Sequence, residues 1–340
     1  MDSANRRTRL PVLLLHNLDP SWPPDDIAGA LRDIAIVEAT LSEAGHSVKS
    51  VAVQDSELDR HLRDHNPDEY VVFNGCEELP GMVRSEALVA HVLETLHFVY
   101  TGSPPDVLAL NWDKAGVNRV LDRYGLPVPC WRVYDSAQPY DWDCFPAIVK
   151  PAYGHCSLGV TTDAVVLTSS ELGRRIAYVL EEFKQPALVE DLIDGREFHV
   201  SLWGNGAIHV LPPVEMDFAA FSDVRERICT FDSKFRPGSP HYEKILARVP
   251  APLEAEEYRQ LEQIALQVYR TLGCRDYARL DLRLRDGVFY VLDVNPNPDI
   301  SPEASLAEAA QAAGYSYGAM VNYLVHLAAE RHPRFGKRRH

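Results

Sequence analysis

Short apolar runs alternate with helical periodicity through the first third of the chain. Residues 11–16 (PVLLLH) read as a buried strand, after which Ile27, Leu31, Ile34 and Leu41 recur at helical spacing until Gly45 stops the pattern. Apolar runs at 47–53 and 70–74, a helical stretch over about 85–96 and a short strand at 98–100 continue the alternation. Parallel neighbours need a crossover of helical length, so this order predicts a doubly wound parallel sheet. A further helical stretch at 106–124 ends at GLPVPC (125–130), where two prolines enforce extended chain and mark the first domain boundary.

The middle of the chain predicts strands at 147–150, 160–166, 187–190, 197–203 and 207–211 around one helix near 169–183. The glycine-flanked turn at 204–206 makes the last strand pair antiparallel. Residues 215–250 lack periodicity and read as a long mobile loop. A helix at 254–272, strands at 277–285 and 288–294 joined by Asp286-Gly287, and a last helix with Met320, Tyr323, Leu324 and Leu327 on one face complete the pattern. The expected units are 1–125, 126–214 and 215–330, followed by a basic tail at 331–340 whose KRRH serves as a solubilising end. No internal repeat or low-complexity tract interrupts them.

Composition narrows the classes. Lys and Arg number 34 against 49 Asp and Glu, a net charge of -15, which argues against an electrostatic track for DNA or RNA. No apolar run approaches the ~20 residues of a membrane span, and the first ten residues lack a signal-peptide core, so the expectation is a soluble, cytoplasmic protein. Six cysteines without a C-x-x-C pair fit reduced thiols better than a zinc site or a disulfide framework.

Three segments carry candidate chemistry. In IVKPAYGHCSLGV (148–160) a strand ends at Lys150 and runs into a loop with Gly154 and Gly159. Such a loop lets main-chain N–H groups approach a phosphate, although taken alone the segment is better explained by a plain turn beside a snorkelling lysine. In ALVEDLIDGREF (187–198) Glu190 and Glu197 flank a turn and offer acceptors to an adenosine, or form an acidic solvated turn. The third is YARLDLRL (277–284) followed by FYVLDVNPNP (289–298). Alternation puts Arg279, Asp281 and Arg283 on one strand face and Asp293 and Asn295 on one face of the next. Asp281, Asp293 and Asn295 are hard oxygen donors suited to Mg²⁺; a solvated strand face explains the charges one by one but not their convergence.

Taken together, Lys114 in NWDK, Lys150 and its glycine loop, Glu190, Glu197, Lys234, RLD at 279–281 and DVNPNP at 293–298 resemble, in order, the ATP-grasp carboxylate–amine ligases. The D-alanine–D-alanine ligase branch is the most similar, from about residue 70 to 328, with YTGS at 100–103 in support. The resemblance implies an ATP-grasp α/β fold of three units around an ATP cleft. It also implies that Lys114 and Lys150 bind ATP phosphates under the loop of Gly154, Ser157 and Gly159. Glu190 with the backbone of Asp191, Leu192 and Ile193 would read adenine, and Glu197 would hold the ribose. Asp281, Asp293 and Asn295 would hold Mg²⁺, or Mn²⁺ in its place, and Arg279 would stabilise an oxyanion. Lys234 would lie over the second substrate, whose carboxylate would dock at Ser305-Leu306.

Departures from that pattern bear on the substrates. The segment after the first strand, LHNLDPSWPPDD (15–26), lacks the family's G-G-x-S-x-E. Its usual Lys-Tyr is Lys234-Phe235, Asp293 stands for a glutamate, Asp299 for a glycine, and one extra residue separates Asn295 from Ser305. The resemblance therefore implies a ligase coupling a small-molecule carboxylate to an amino acid through an acyl phosphate, with a substrate pair other than two D-alanines and a place in natural-product synthesis. Alternatives are a genuine D-alanine–D-alanine ligase, a nucleotide-binding regulatory protein on this fold, and a binding protein for an acidic metabolite. A homodimer is one assembly open to it. Cys156 and the lone histidines, His16, His97, His155, His199 and His209, read as structural residues.

Overall fold

The computed structural model describes residues 9–138, 141–155 and 157–336. Cys156 and the KRRH tail lie outside the described residues, as does the Phe235 side chain. The first unit follows the alternation: β1 (Pro11–Asn17), α1 (Pro24–Glu43), β2 (Ser47–Val53), α2 (Leu58–Leu62), β3 (Val71–Gly75), α3 (Glu86–Thr95) and β4 (Val99–Tyr100). Its four strands are parallel in the order β2-β1-β3-β4. Leu41 of α1 is buried against this sheet, whereas Leu31 is exposed.

The expected single helix at 106–124 is two, α4 (Pro105–Trp112) and α5 (Lys114–Arg123). Asp113 leaves the helical region between them and caps α5, its carboxylate accepting from Gly116 N–H at 2.9 Å. This break sets Lys114 at a helix start instead of mid-helix.

The second unit contains β5 (Trp131–Tyr134), β6 (Ala147–Pro151), β7 (Val165–Val166), α6 (Ser169–Glu182) and β8 (Ala187–Asp191), in an antiparallel sheet ordered β5-β8-β6-β7. The expected strand at 160–166 shrinks to β7, because Thr162–Ala164 form a 3₁₀ turn. Trp142 packs in this unit's own core with Tyr134 and Val149.

The third sheet takes β9 (Arg196–Trp203), β10 (His209–Val210), β11 (Val214–Asp217), β12 (Leu246–Arg248), β13 (Tyr277–Arg285) and β14 (Val288–Asn295). Between β11 and β12 the chain forms α7 (Phe231–Phe235) and α8 (Pro240–Lys244), so the expected long loop at 215–250 is largely built into elements. The helices α9 (Ala255–Leu272), α10 (Ser305–Ala312) and α11 (Tyr317–Ala329) complete it. Because β9 pairs with β11 and β13, the sheets divide between Asp191 and Arg196, not at residue 214. The C-terminal boundary moves as well. Met320, Val321 and Leu324 of α11 share one core with Leu10, Val12, Leu14 and Phe73, so the last helix covers a face of the first sheet.

Candidate active site

Strand alternation builds the floor. Ala278, Leu280 and Leu282 of β13 point into the core shared with α9, which turns Arg279, Asp281 and Arg283 to the opposite face. In register, Asp281 stands across from Asp293 of β14, and Arg279 from Asn295. A bulge just beyond Asp281 displaces Leu292 into the cleft wall, so the two aspartates remain opposed.

Each charge on this floor has a protein partner. Arg279 holds Asp281 with two hydrogen bonds, Nε to Oδ1 at 2.7 Å and Nη2 to Oδ2 at 3.1 Å. Burial alone would raise the Asp281 pKa; Arg279, helped by His199 and Lys234, outweighs it and holds the carboxyl below its ordinary range. Arg283, 2 % exposed, donates Nε to Glu197 Oε2 at 2.7 Å and Nη1 to the Ile193 carbonyl at 2.8 Å. That ion pair overrides burial and drives the Glu197 carboxyl far down. Lys114 Nζ lies 3.5 Å from Asp293 Oδ2, and with Lys150 it keeps Asp293 ionised against burial and the repulsion of Asp281.

The roof comes from the second sheet. Lys150, near the end of β6, lies 2.5 Å from Glu190 Oε2, while Asn118 of α5 donates to Oε1 of the same carboxylate at 2.8 Å. Burial opposes the Lys150 charge, yet Glu190 raises its pKa above the ordinary lysine value. The loop beyond β6 is tied to the α4–α5 break by Lys114 N–H to the Ala152 carbonyl (3.1 Å) and Gly154 N–H to the Trp112 carbonyl (3.2 Å). Gly159 has φ +72°, and a Cβ there would come within 2.8 Å of Phe183, so both conformation and space require glycine. His155 in this loop packs edge-on against Trp112, and burial first, then Lys114, pushes its pKa down to about 4.

Lys114, Lys150, Gly154, Ser157, Glu190, Asp191, Leu192, Ile193, Glu197, Lys234, Asp281 and Asp293 line one cleft, open to solvent. Within the stretch expected to read adenine, Glu190 is already engaged by Lys150 and Asn118, Asp191 by Arg285, and Leu192 spends its N–H on the Pro146 carbonyl. Ser305 opens α10 and touches His199, not Arg279. His199, read from the sequence as structural, thus bonds the residue expected to receive the second substrate, and its i, i+2 spacing puts it on one face of β9 with Glu197. Glu197, His199 and Cys229 bring three ligand-type atoms within 4.8 Å of one another, but Arg283 already neutralises Glu197 and opposes a cation there.

The residues fit the nucleotide and metal that the resemblance implies. Two opposed carboxylates and an amide are hard oxygen donors of the kind Mg²⁺ takes, and Lys114 and Lys150 converge beside them from two other elements.

At the carboxyl edge of the first sheet, a different group of acids gathers. Glu86 is buried, accepts from Asn297 Nδ2 at 2.8 Å, and has its pKa pushed up to about 7 by burial. Glu77, on the same loop, is exposed to solvent but hemmed in by protein, which with Asp299 and Glu78 raises its pKa. No local pattern foretells this pairing, because Asn297 lies 211 residues from Glu86.

Comparison with known proteins places the chain. The profile described as D-ala D-ala ligase C-terminus matches residues 131–326. A D-alanine–D-alanine ligase of Desulforudis audaxviator is 30 % identical over 309 residues, covering 89 % of this chain and 94 % of that protein. An uncharacterised protein of Sinorhizobium fredii is 31 % identical over 318 residues, covering 92 % and 90 %. The crystal structure of a D-alanine–D-alanine ligase from Bacillus anthracis, complexed with ATP, superposes with a TM-score of 0.71 at 21 % identity, covering 94 % of this chain and 97 % of that one. The architecture is an ATP-grasp fold, the fold of ATP-dependent ligases that form C–N bonds. The chain belongs to the D-alanine–D-alanine ligase family, whose chemistry requires ATP and Mg²⁺. Among the described residues no helix is long and apolar enough to cross a membrane.

Proposed function

We propose that the chain activates a small-molecule carboxylate with ATP, as an acyl phosphate, and transfers the acyl group to an amino acid. The observation that carries this reading is the opposition of Asp281 and Asp293 on adjacent strands, with Lys114 and Lys150 lining the same cleft and Arg279 bonded to Asp281. Lys114 and Lys150 bind the triphosphate, Asp281, Asp293 and Asn295 hold Mg²⁺, and Arg279 faces the carbonyl that becomes tetrahedral. Mg²⁺ held there would supply charge neutralisation for phosphoryl transfer; positioning by the chain's own residues supplies the rest. The loop of Gly154, Ser157 and Gly159 covers the phosphates and keeps water from the acyl phosphate.

The substrate pair differs from two D-alanines on this reading. The loop between β1 and α1 has no glutamate, and the carboxylate it does have, Asp19, folds back on its own turn to accept from Ser21 N–H at 2.8 Å. A site without a partner for an ammonium selects a different substrate, because an unpaired buried charge is costly. The relatives named as D-alanine–D-alanine ligases favour the second reading, in which Glu77 or the acids opening α1, Asp25 and Asp26, replace the missing glutamate.

The test is ATP-dependent phosphate release with mass detection of product. D-alanine alone is expected to release little phosphate, and a non-amino carboxylate or second amino acid paired with an amino-acid acceptor is expected to release more. Rapid formation of D-alanyl-D-alanine establishes the second reading instead.

A further inference from the structure

His199 connects two parts of the cleft that no sequence motif joins. It stands opposite Asp281 in the β9–β13 register and shares a strand face with Glu197. Its ring is 4 % exposed. Nδ1 lies 2.8 Å from Ser305 Oγ in the first turn of α10. The other ring nitrogen, Nε2, is covered, has no hydrogen-bond partner among the described residues, and sits 3.8 Å from Glu197 Oε1 and 3.9 Å from Asp281 Oδ1.

The surroundings choose the tautomer. A nitrogen that faces two carboxylates carries its hydrogen toward them, since a lone pair there would be repelled. Nδ1 is then the acceptor, and the Ser305 hydroxyl donates to it. The hydrogen of that hydroxyl is thereby directed to His199, which leaves a carboxylate docking at Ser305-Leu306 the main-chain N–H groups with which a helix begins.

We propose that His199 is a positioning residue: its ring holds the first turn of α10, where the acceptor amino acid's carboxylate docks, in fixed relation to the two carboxylates on the nucleotide side of the cleft. The inference rests on the ligase reading above.

Two amides divide the ring's roles. Asparagine places its amide near the position of Nδ1, and glutamine near that of Nε2. ADP formation is followed with the acceptor that turns over fastest among glycine and the D- and L-forms of the common amino acids. His199→Gln is expected to raise the acceptor KM about tenfold, the scale of one lost hydrogen bond, with the ATP KM within about twofold. His199→Asn, which keeps the bond to Ser305, is expected to stay within about threefold for both. Ser305→Ala removes the same bond from its other end, so the double variant with His199→Gln should be no worse than either single one.

An unchanged acceptor KM in His199→Gln, an equal rise in both KM values, an asparagine variant no better than glutamine, or additive effects in the double variant would each overturn the assignment. A wild-type chain that forms no ADP with any amino acid of the panel removes the ligase reading, and this inference with it.

Discussion

On the face of β13, Arg279 is bound by Asp281 and Arg283 by Glu197, and across on β14 Asp293 has Lys114. At the carboxyl edge of the parallel sheet, Glu86 accepts from the amide of Asn297, and among the described residues the charged groups acting on it and on Glu77 are themselves acids. The two regions treat charge oppositely. In the first, protein cations hold carboxylates ionised before any ligand arrives, so its charge pattern stays constant through neutral pH. In the second, burial without a cation lifts a pKa into the neutral range, and the region changes with pH. Phosphoryl transfer needs the first arrangement, since fixed charges cost no reorganisation when the reaction occurs.

The sharpest way to break this contrast is to remove a carboxylate from the paired region. Asp293→Ala is expected to lower turnover by at least about 10²–10³-fold, the scale of a lost charge-stabilising group, with the thermal midpoint little changed. Mg-dependent activity at wild-type level in the folded variant removes Asp293 from the site. A smaller loss is expected from Arg279→Lys, which keeps the charge but cannot grip Asp281 with two parallel bonds. Ligation should fall about tenfold to a hundredfold while nucleotide affinity, read by calorimetry with a non-hydrolysable ATP analogue, persists. Loss confined to nucleotide affinity would place Arg279 on the triphosphate instead.

The least effect, and the one that probes the other region, concerns Glu86. Its pKa rises from 4.5 to about 7 on folding, so between those values the folded chain holds a proton that the unfolded chain releases. The stability linked to this group is complete below about pH 4.5 and is lost as pH rises through about 7. Glu86→Gln, whose carbonyl can still accept from Asn297, should therefore raise stability at pH 8 by on the order of 1–3 kcal/mol and leave it near wild type at pH 4.5. Denaturant melts at the two pH values check this. An equal change at both would show that Glu86 is not titrating in the folded chain.

How much of this was legible depended on sequence distance. Arg279, Asp281 and Asp293 could be placed together because alternation along two strands joined by a two-residue turn fixes faces and register; only the bulge at Leu292 lay beyond that reasoning. The break at Asp113 carried a local signal, a capping aspartate three residues before Gly116, but apolar periodicity on both sides concealed it. Contacts across the chain left no such trace. Nothing local indicates that Glu190 will meet both Lys150 and Asn118, or that β9 abandons the sheet that contains β8. The charged face of the third sheet was thus readable as pattern, whereas its links to Ser305 and Asn297 arose only from packing.

The position of α11 bears on how the polypeptide is made. The face of the first sheet formed by Leu10, Val12, Leu14 and Phe73 is closed by residues near position 320, and Arg331 bonds both Asp276 (2.9 Å) and the Tyr100 carbonyl (2.7 Å). A ribosome adding about 5–20 residues per second reaches that helix roughly 10–40 s after finishing the first 125 residues. For that interval α1 covers part of this face and the remainder lacks the apolar residues of α11, so the nascent sheet keeps an incompletely closed greasy side, open to chaperones, until the last helix is made.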